Sequence, residues 1–232
     1  MSERTLTGDA AARARETADF VRELARDVTP VERLARLRGG VLRVLAPWGV
    51  LALGALALKG VSATFADPAR WASGFGAVLA GLSLVGVGGV VAALATAVPG
   101  REATARAASA LVALGLLVSV GLGGFLLHGD PATASPASVG SDLRCLVLAF
   151  AIALLPMAGA LLYVARAAPA HPAVALATVG AGCVALGALT AQIGCTDPAF
   201  RHVLVSHALA PAIGAAVLFA PLRLAFRRLR AG

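Results

Sequence analysis

Charged residues are scarce in this sequence. Asp, Glu, Lys and Arg make up 14% of its 232 residues, whereas about a quarter of an ordinary globular domain is charged. Hydrophobic residues reach 59% and the mean hydropathy is +0.84. The apolar excess comes in long blocks, without the short period of a strand or a surface helix. The composition therefore excludes an ordinary soluble domain and indicates an integral membrane protein.

Several motifs that would carry chemistry are also missing. The sequence has no Cys-x-x-Cys and no His-x-x-x-His pair, which argues against a zinc site of fixed motif type and against a thiol-oxidising quinone enzyme. The centres of the apolar blocks carry no charged residue, and no histidine lies deep in the first five, so a haem held by two spans is unsupported. We predict a protein that is not an enzyme and binds no cofactor.

Six apolar blocks are long enough to cross a bilayer as helices, since about 30 Å of hydrocarbon needs about 20 residues. None has the alternating pattern of a barrel strand. The predicted fold is all-α, a polytopic bundle of six transmembrane helices. The blocks are Val41–Leu58, Trp71–Val98, Ala107–Leu127, Leu143–Val164, Pro172–Gln192 and Val203–Phe219.

The basic residues are distributed unevenly between the two faces of this bundle. With the N-terminus inside, sixteen of the 20 Lys and Arg residues lie on the cytoplasmic face. The four on the opposite face are Lys59, Arg70, Arg144 and Arg201. Cytoplasmic loops carry such an excess, so we predict a multi-pass membrane protein with both termini cytoplasmic. The basic residues that set the membrane orientation also account for the sequence pI of about 11.1. We therefore predict no direct contact with nucleic acid.

The N-terminal arm is the one polar segment large enough to hold a partner. Apolar residues recur at three- or four-residue steps from Phe20 through Leu24, Val28 and Val31, with mixed charges between them, a pattern typical of an amphipathic helix. A segment this short cannot build a core of its own. Lipid headgroups, the protein's own loops or a partner protein must therefore cover its apolar stripe.

Two of the three cysteines fall on the same predicted face. Cys145 begins the fourth span and Cys195 lies in the link before the sixth, both on the oxidising side, whereas Cys183 lies in mid-span and is predicted to pack as a small apolar residue. A disulfide, a redox-switched thiol pair or a soft-metal site could use this placement, and His128 and His202 could add ligands. The alternative is that the two thiols are only structural.

The arm and the span layout resemble a known family. The run LARDVTPVERL at Leu24–Leu34 resembles the Pro-Val-x-Arg-Leu segment of the NrsF-type anti-sigma factors, which precedes their first membrane span. Arg144-Cys145, Leu154-Leu155-Pro156, Cys195, and Gly214 after Pro211 are similar to that family as well. The chain departs from the family at Gly194, where a histidine is usual, and at Ser206-His207, where an aromatic pair is common.

The resemblance implies an anti-sigma factor of the bacterial inner membrane that sequesters an extracytoplasmic-function sigma factor and releases it under envelope, oxidative or metal stress. Residues 1–40 are the expected sigma-binding arm, 41–226 the bundle and 227–232 a basic tail. The expected sensor is a thiol pair of Cys145 and Cys195, with no metal site, because Gly194 replaces the usual histidine. The alternative function is a small transporter or channel. The residues expected to bind the sigma factor are Phe20, Leu24, Val28, Val31, Arg33 and Leu34.

Overall fold

The protein is almost entirely helical. The computed structural model describes residues 16–23, 25–26, 36–136, 138–167 and 169–231, and no β-strand occurs within these ranges. The chain divides into two units, Met1–Leu34 and Ala35–Gly232. In the first unit, residues 16–23 and 25–26 are helical and solvent-exposed. The second unit holds all the long helices described below.

Six helices of the second unit are long and apolar enough to cross a membrane. This confirms the predicted fold class, an all-α protein with six candidate membrane spans. In chain order they are α1 (Leu37–Lys59), α2 (Gly74–Thr96), α3 (Glu102–His128), α4 (Val139–Ala167), α5 (Pro172–Ile193) and α6 (Ala210–Ala231).

The helices extend beyond the apolar blocks at several ends. The fourth block was predicted to begin at Leu143, but α4 begins at Val139. The Ser138 hydroxyl accepts a hydrogen bond from the Ser141 backbone N–H, as N-terminal capping residues do. At the other end of the chain, α6 continues through the arginine-rich segment to Ala231. Hydrophobicity locates the part of a helix that lipid can surround, whereas capping and propensity determine where the helix stops.

Two of the long helices contain or follow a π-helical segment. In α3 the segment is Leu117–Leu122, and before α6 a short helix, Phe200–Val203, leads into the π-helical Leu204–Ala208. The two π-helical segments contact each other. Such segments widen a helix by one residue per turn and are frequent at functional sites.

The links at one end of the bundle fold against one another. This end, called here the cysteine end, holds the segments after α1, α3 and α5. The Arg70 guanidinium, in a 3₁₀ turn between α1 and α2, lies 2.8 Å from the Asp130 carboxylate between α3 and α4. The backbone N–H of Ser62 donates to the carbonyl of Ile193 at the end of α5. The three links therefore form one layer that closes this end of the bundle.

The core lies around α5, which packs against α2, α4 and α6. Small residues allow these helix backbones to approach closely, as in other membrane proteins. A Cβ atom on Gly89 of α2 would lie 2.6 Å from the Cα of Gly182 in α5, and one on Gly187 of α5 would overlap the Ala149 carbonyl of α4. Both positions therefore require glycine for the observed packing.

We expect Gly187→Ala to destabilise the bundle, because the added methyl group forces α4 and α5 apart. Overpacking of this kind costs about 1–3 kcal/mol, so the thermal unfolding midpoint of the detergent-solubilised protein should fall clearly. Gly54→Ala is the matched control, because Gly54 lies in α1 with no other atom within 4 Å of the position of its Cβ. Equal midpoints for the two variants would contradict the close packing of α4 and α5.

Candidate functional site

Four side chains that are capable of binding a metal ion meet at the cysteine end of the bundle. They are Cys145 in α4, Cys195 in the link after α5, His202 in the short helix and His207 in the π-helical segment. Each residue offers one ligand-capable atom, and these four atoms all lie within 4.8 Å of one another. All four residues are buried. We call these four residues the Cys–His cluster. No other group of three or more such side chains occurs in the described part of the chain.

The π-helical segment brings the two histidines together. In an α-helix, residues five apart point about 140° away from each other. A π turn closes with a hydrogen bond between residues five apart, so these residues lie nearly above one another. The backbone N–H of Leu209 makes such a bond to the carbonyl of Leu204, at 2.9 Å. As a result the Nε2 atoms of His202 and His207 lie 3.3 Å apart.

Each imidazole is oriented by a hydrogen bond at its outer nitrogen. His202 Nδ1 lies 2.7 Å from Oδ1 of Asp142, in the first turn of α4, and His207 Nδ1 lies 3.4 Å from the carbonyl of Ala188 in α5. Both partners are acceptors, so we assign the proton of each ring to Nδ1. This assignment leaves the two Nε2 lone pairs pointing into the cluster.

The two sulfur atoms lie 3.8 Å apart, and both cysteines are unbridged. Cys195 Sγ is also 3.1 Å from Nε2 of His202. The neighbouring Cys145 sulfur and burial raise the pKa of the Cys195 thiol. Two buried thiolates at this distance repel each other, so ionisation of one thiol opposes ionisation of the other.

Hydrogen bonds hold the surrounding backbone in place. The Ser141 hydroxyl donates to Oδ2 of Asp197 at 2.6 Å, and the Ser206 hydroxyl donates to the Asp142 carbonyl at 3.3 Å. Burial opposes ionisation of Asp197, but the hydrogen bonds from Ser141 and from the Ala199 N–H outweigh it and lower the pKa of this carboxyl group. The first turn of α4 is thereby tied both to the Cys195 link and to the π-helical segment.

The structure brings Cys145 and Cys195 together, and their role as a sensor stays a prediction. His202, considered from sequence as an added ligand, is in the cluster. His128, considered with it, is exposed and packs edge-on against Phe200, with 5.3 Å between ring centroids. Cys183 is fully buried within α5, outside the cluster.

Sequence reasoning missed His207 and Asp142. The spacing of His202 and His207 does not match one face of an α-helix, and Asp142 precedes the apolar block that was predicted as the fourth span. We predicted no metal site, but the four ligand-capable atoms of the Cys–His cluster could hold an ion. No local sequence signal identified the π turn at Leu204–Ala208.

The residues predicted to bind the sigma factor belong to the first unit of the chain. Phe20 lies on the described helical segment with 61% of its surface exposed, and its neighbour Val21 is 57% exposed. The other five residues predicted to bind the sigma factor lie outside the described residues; they are Leu24, Val28, Val31, Arg33 and Leu34.

Comparison with known proteins gives one match. A family model described as negative regulator of sigma F, NrsF, matches residues 24–227. No curated protein and no solved structure matches the chain. The matched region begins within the arm, includes all six long helices up to the last turns of α6, and contains the whole Cys–His cluster. This chain therefore belongs to the NrsF family of negative regulators of sigma F.

Proposed function

We propose that this protein is an anti-sigma factor of the bacterial inner membrane that sequesters an extracytoplasmic-function sigma factor through its N-terminal arm. A change of state in the Cys–His cluster on the opposite face releases the sigma factor. The family match carries the proposal, because it extends from residue 24 to residue 227 and thus includes part of the arm together with the bundle. Negative regulation of a sigma factor follows from the family itself.

The arm is the part of the chain suited to bind a partner. Its described residues are helical and exposed, and they include the apolar side chains of Phe20 and Val21. A short isolated helix is only marginally stable in water, and burial of its apolar stripe against a partner stabilises it. The proposed contact uses the row that Phe20 begins and extends to Arg33 and Leu34.

Orientation assigns the two ends of the bundle to different compartments. The excess of arginine in the arm, between α2 and α3, and at the end of α6 supports a cytoplasmic location for both termini. The cysteine end then faces the oxidising side of the membrane, where thiol chemistry with external oxidants or metals is available.

Helix α1 provides a physical connection between the two ends. Its N-terminus follows directly on the arm, and its C-terminus meets the link that carries Cys195. A Cβ atom on Gly194 would lie 3.3 Å from the carbonyl oxygen of Gly60, and the indole N–H of Trp48 donates to the Leu186 carbonyl of α5 at 3.0 Å. These contacts are the proposed route by which a displacement of the Cys195 link reaches the helix that precedes it in the bundle and follows the arm in the chain.

Reporter fusions test the proposed topology. We expect a fusion after Gly232 to report the cytoplasm and a fusion within residues 130–136 to report the periplasm, because both termini and the basic loops lie inside. Paired alkaline phosphatase and fluorescent-protein reporters provide the measurement. A periplasmic signal from the C-terminal fusion would require an odd number of spans.

Substitution in the arm tests sigma-factor binding. We expect Leu24→Asp to weaken binding of the cognate sigma factor strongly, because burial of an unpaired carboxylate in the contact costs several kcal/mol. Affinity is measured by pull-down with the full chain in detergent. Ala18→Asp is the control, because it adds the same charge on the other side of the predicted helix. If Leu24→Asp binds as the parent does, the contact lies elsewhere, and residues 33–38 are the next segment to test.

Substitution of the cysteines tests the sensor. We expect Cys145→Ser and Cys195→Ser each to disturb signal-dependent release while membrane insertion is retained, because either change removes one sulfur of the pair. Cys183→Ser should respond as the parent protein does, because that thiol lies outside the cluster. A sigma-dependent transcriptional reporter measures release, and membrane fractionation measures insertion. Normal induction in both single variants would exclude the pair from sensing.

A further inference from the structure

The sulfur–sulfur and nitrogen–nitrogen distances within the Cys–His cluster match those around a tetrahedral ion, and all four ligand-capable atoms lie within 4.8 Å of one another. A zinc-class ion bound to sulfur at about 2.3 Å and to nitrogen at about 2.0–2.1 Å holds its two sulfurs about 3.8 Å apart and its two nitrogens about 3.4 Å apart. The observed distances are 3.8 Å between the Cys145 and Cys195 sulfurs and 3.3 Å between the two Nε2 atoms. Cys195 Sγ and His202 Nε2, at 3.1 Å, need to separate by only a few tenths of an ångström.

The orientation of the imidazoles also suits a cation. With the Nδ1 protons assigned to the contacts with Asp142 and the Ala188 carbonyl, the two Nε2 atoms lie 3.3 Å apart with their lone pairs directed into the cluster. Both lone pairs are then available to one ion. A carboxylate that holds the outer nitrogen of a ligating histidine, as Asp142 holds His202, is the usual support around protein-bound zinc.

The number and burial of the ligands define the kind of site. His202 and His207 are completely buried, and the two cysteines are 5% and 6% exposed. Four protein ligands complete a tetrahedron and leave no position for a reacting water, which distinguishes a structural or regulatory site from a catalytic one. Two thiolates with two imidazoles select zinc-class ions over magnesium or calcium.

We propose that Cys145, Cys195, His202 and His207 bind one zinc-class divalent ion, with Asp142 as the positioning residue for His202. Binding replaces the two thiol protons, which pass to solvent, with two sulfur–metal bonds. The ion joins α4, the Cys195 link and the π-helical segment, which are separate segments of the chain. The role of this ion as the signal for sigma-factor release rests on the proposed function. Binding of the ion rests on the geometry of the cluster alone.

A disulfide is the competing use of the same sulfurs. The sulfurs would have to approach from 3.8 Å to about 2.05 Å, with two electrons and two protons passing to an external oxidant. A disulfide also removes both thiolate ligands, so the two states exclude each other. A disulfide gives no role to His207 or to the Asp142–His202 contact. Variants of these residues therefore distinguish a disulfide from a metal site.

Cobalt binding to the full chain, purified in detergent under reducing conditions, tests the proposal. We expect one Co²⁺ per chain, with thiolate-to-cobalt charge-transfer absorption in the near ultraviolet and the intense visible bands of tetrahedral Co²⁺. Zn²⁺ should displace it stoichiometrically. Absence of these bands at saturating Co²⁺ would overturn the proposal without the need for any variant.

Variants assign the ligands. Cys145→Ser, Cys195→Ser, His202→Ala and His207→Ala should each change or abolish the cobalt spectrum, whereas His128→Ala and Cys183→Ser should leave it unchanged. Asp142→Asn keeps all four ligands and should lower zinc affinity by about 10–100-fold. Retention of the parent spectrum and affinity by both histidine variants would overturn the four-ligand site in favour of the thiols alone.

The failure of this inference and that of the proposed function are distinguishable. Size-exclusion chromatography of each variant identifies a failure to fold. If a ligand variant aggregates, the cobalt spectrum of the parent protein and the zinc affinity of Asp142→Asn still test the metal site. A protein that binds the sigma factor through the arm but no cobalt refutes only the metal site. A protein that binds cobalt but no sigma factor refutes only the proposed function.

Discussion

Backbone amides within hydrocarbon must find hydrogen-bond partners in their own helix, and this constraint shapes the whole molecule. It favours six long helices and moves the irregular backbone and most polar side chains to the helix ends. The π-helical segment before α6 satisfies the constraint in an unusual way, because the Leu209 N–H still finds a partner in the Leu204 carbonyl. The π turn changes the direction in which the following side chains point, and this change places His207 beside His202.

The sequence predicted much of the fold because length and hydrophobicity decide which segments can cross a bilayer. It could not place every helix end, since the capping hydrogen bond at Ser138 extends α4 ahead of its apolar block. For the site, topology was enough to put Cys145 and Cys195 at one end of the bundle. Their closeness, and the addition of His207 and Asp142, depend on tertiary packing and on a helix type that three-dimensional contacts select.

The helices differ in how firmly they are held. Most of α5 is buried against its neighbours, whereas the only buried residues of α1 are Gly40, Val44 and Ala52. The arm is thus attached to the least embedded of the long helices, which also contacts the link bearing Cys195. Elements with few buried contacts are those that move at low energetic cost. The bundle thus combines a closely packed centre with an outer helix that has few buried residues.

The π-helical segment also fixes the residue register of everything that follows it. A π turn accommodates one residue more than an α turn, so deletion of a single residue within Leu204–Ala208 would restore a regular helix and rotate α6 by about 100°. Gly214, whose lack of a side chain lets Val184 of α5 approach closely, would then turn away from its partner, as would Leu222. The length of this short stretch therefore sets which side chains of α6 face the core, independently of which residues occupy the stretch.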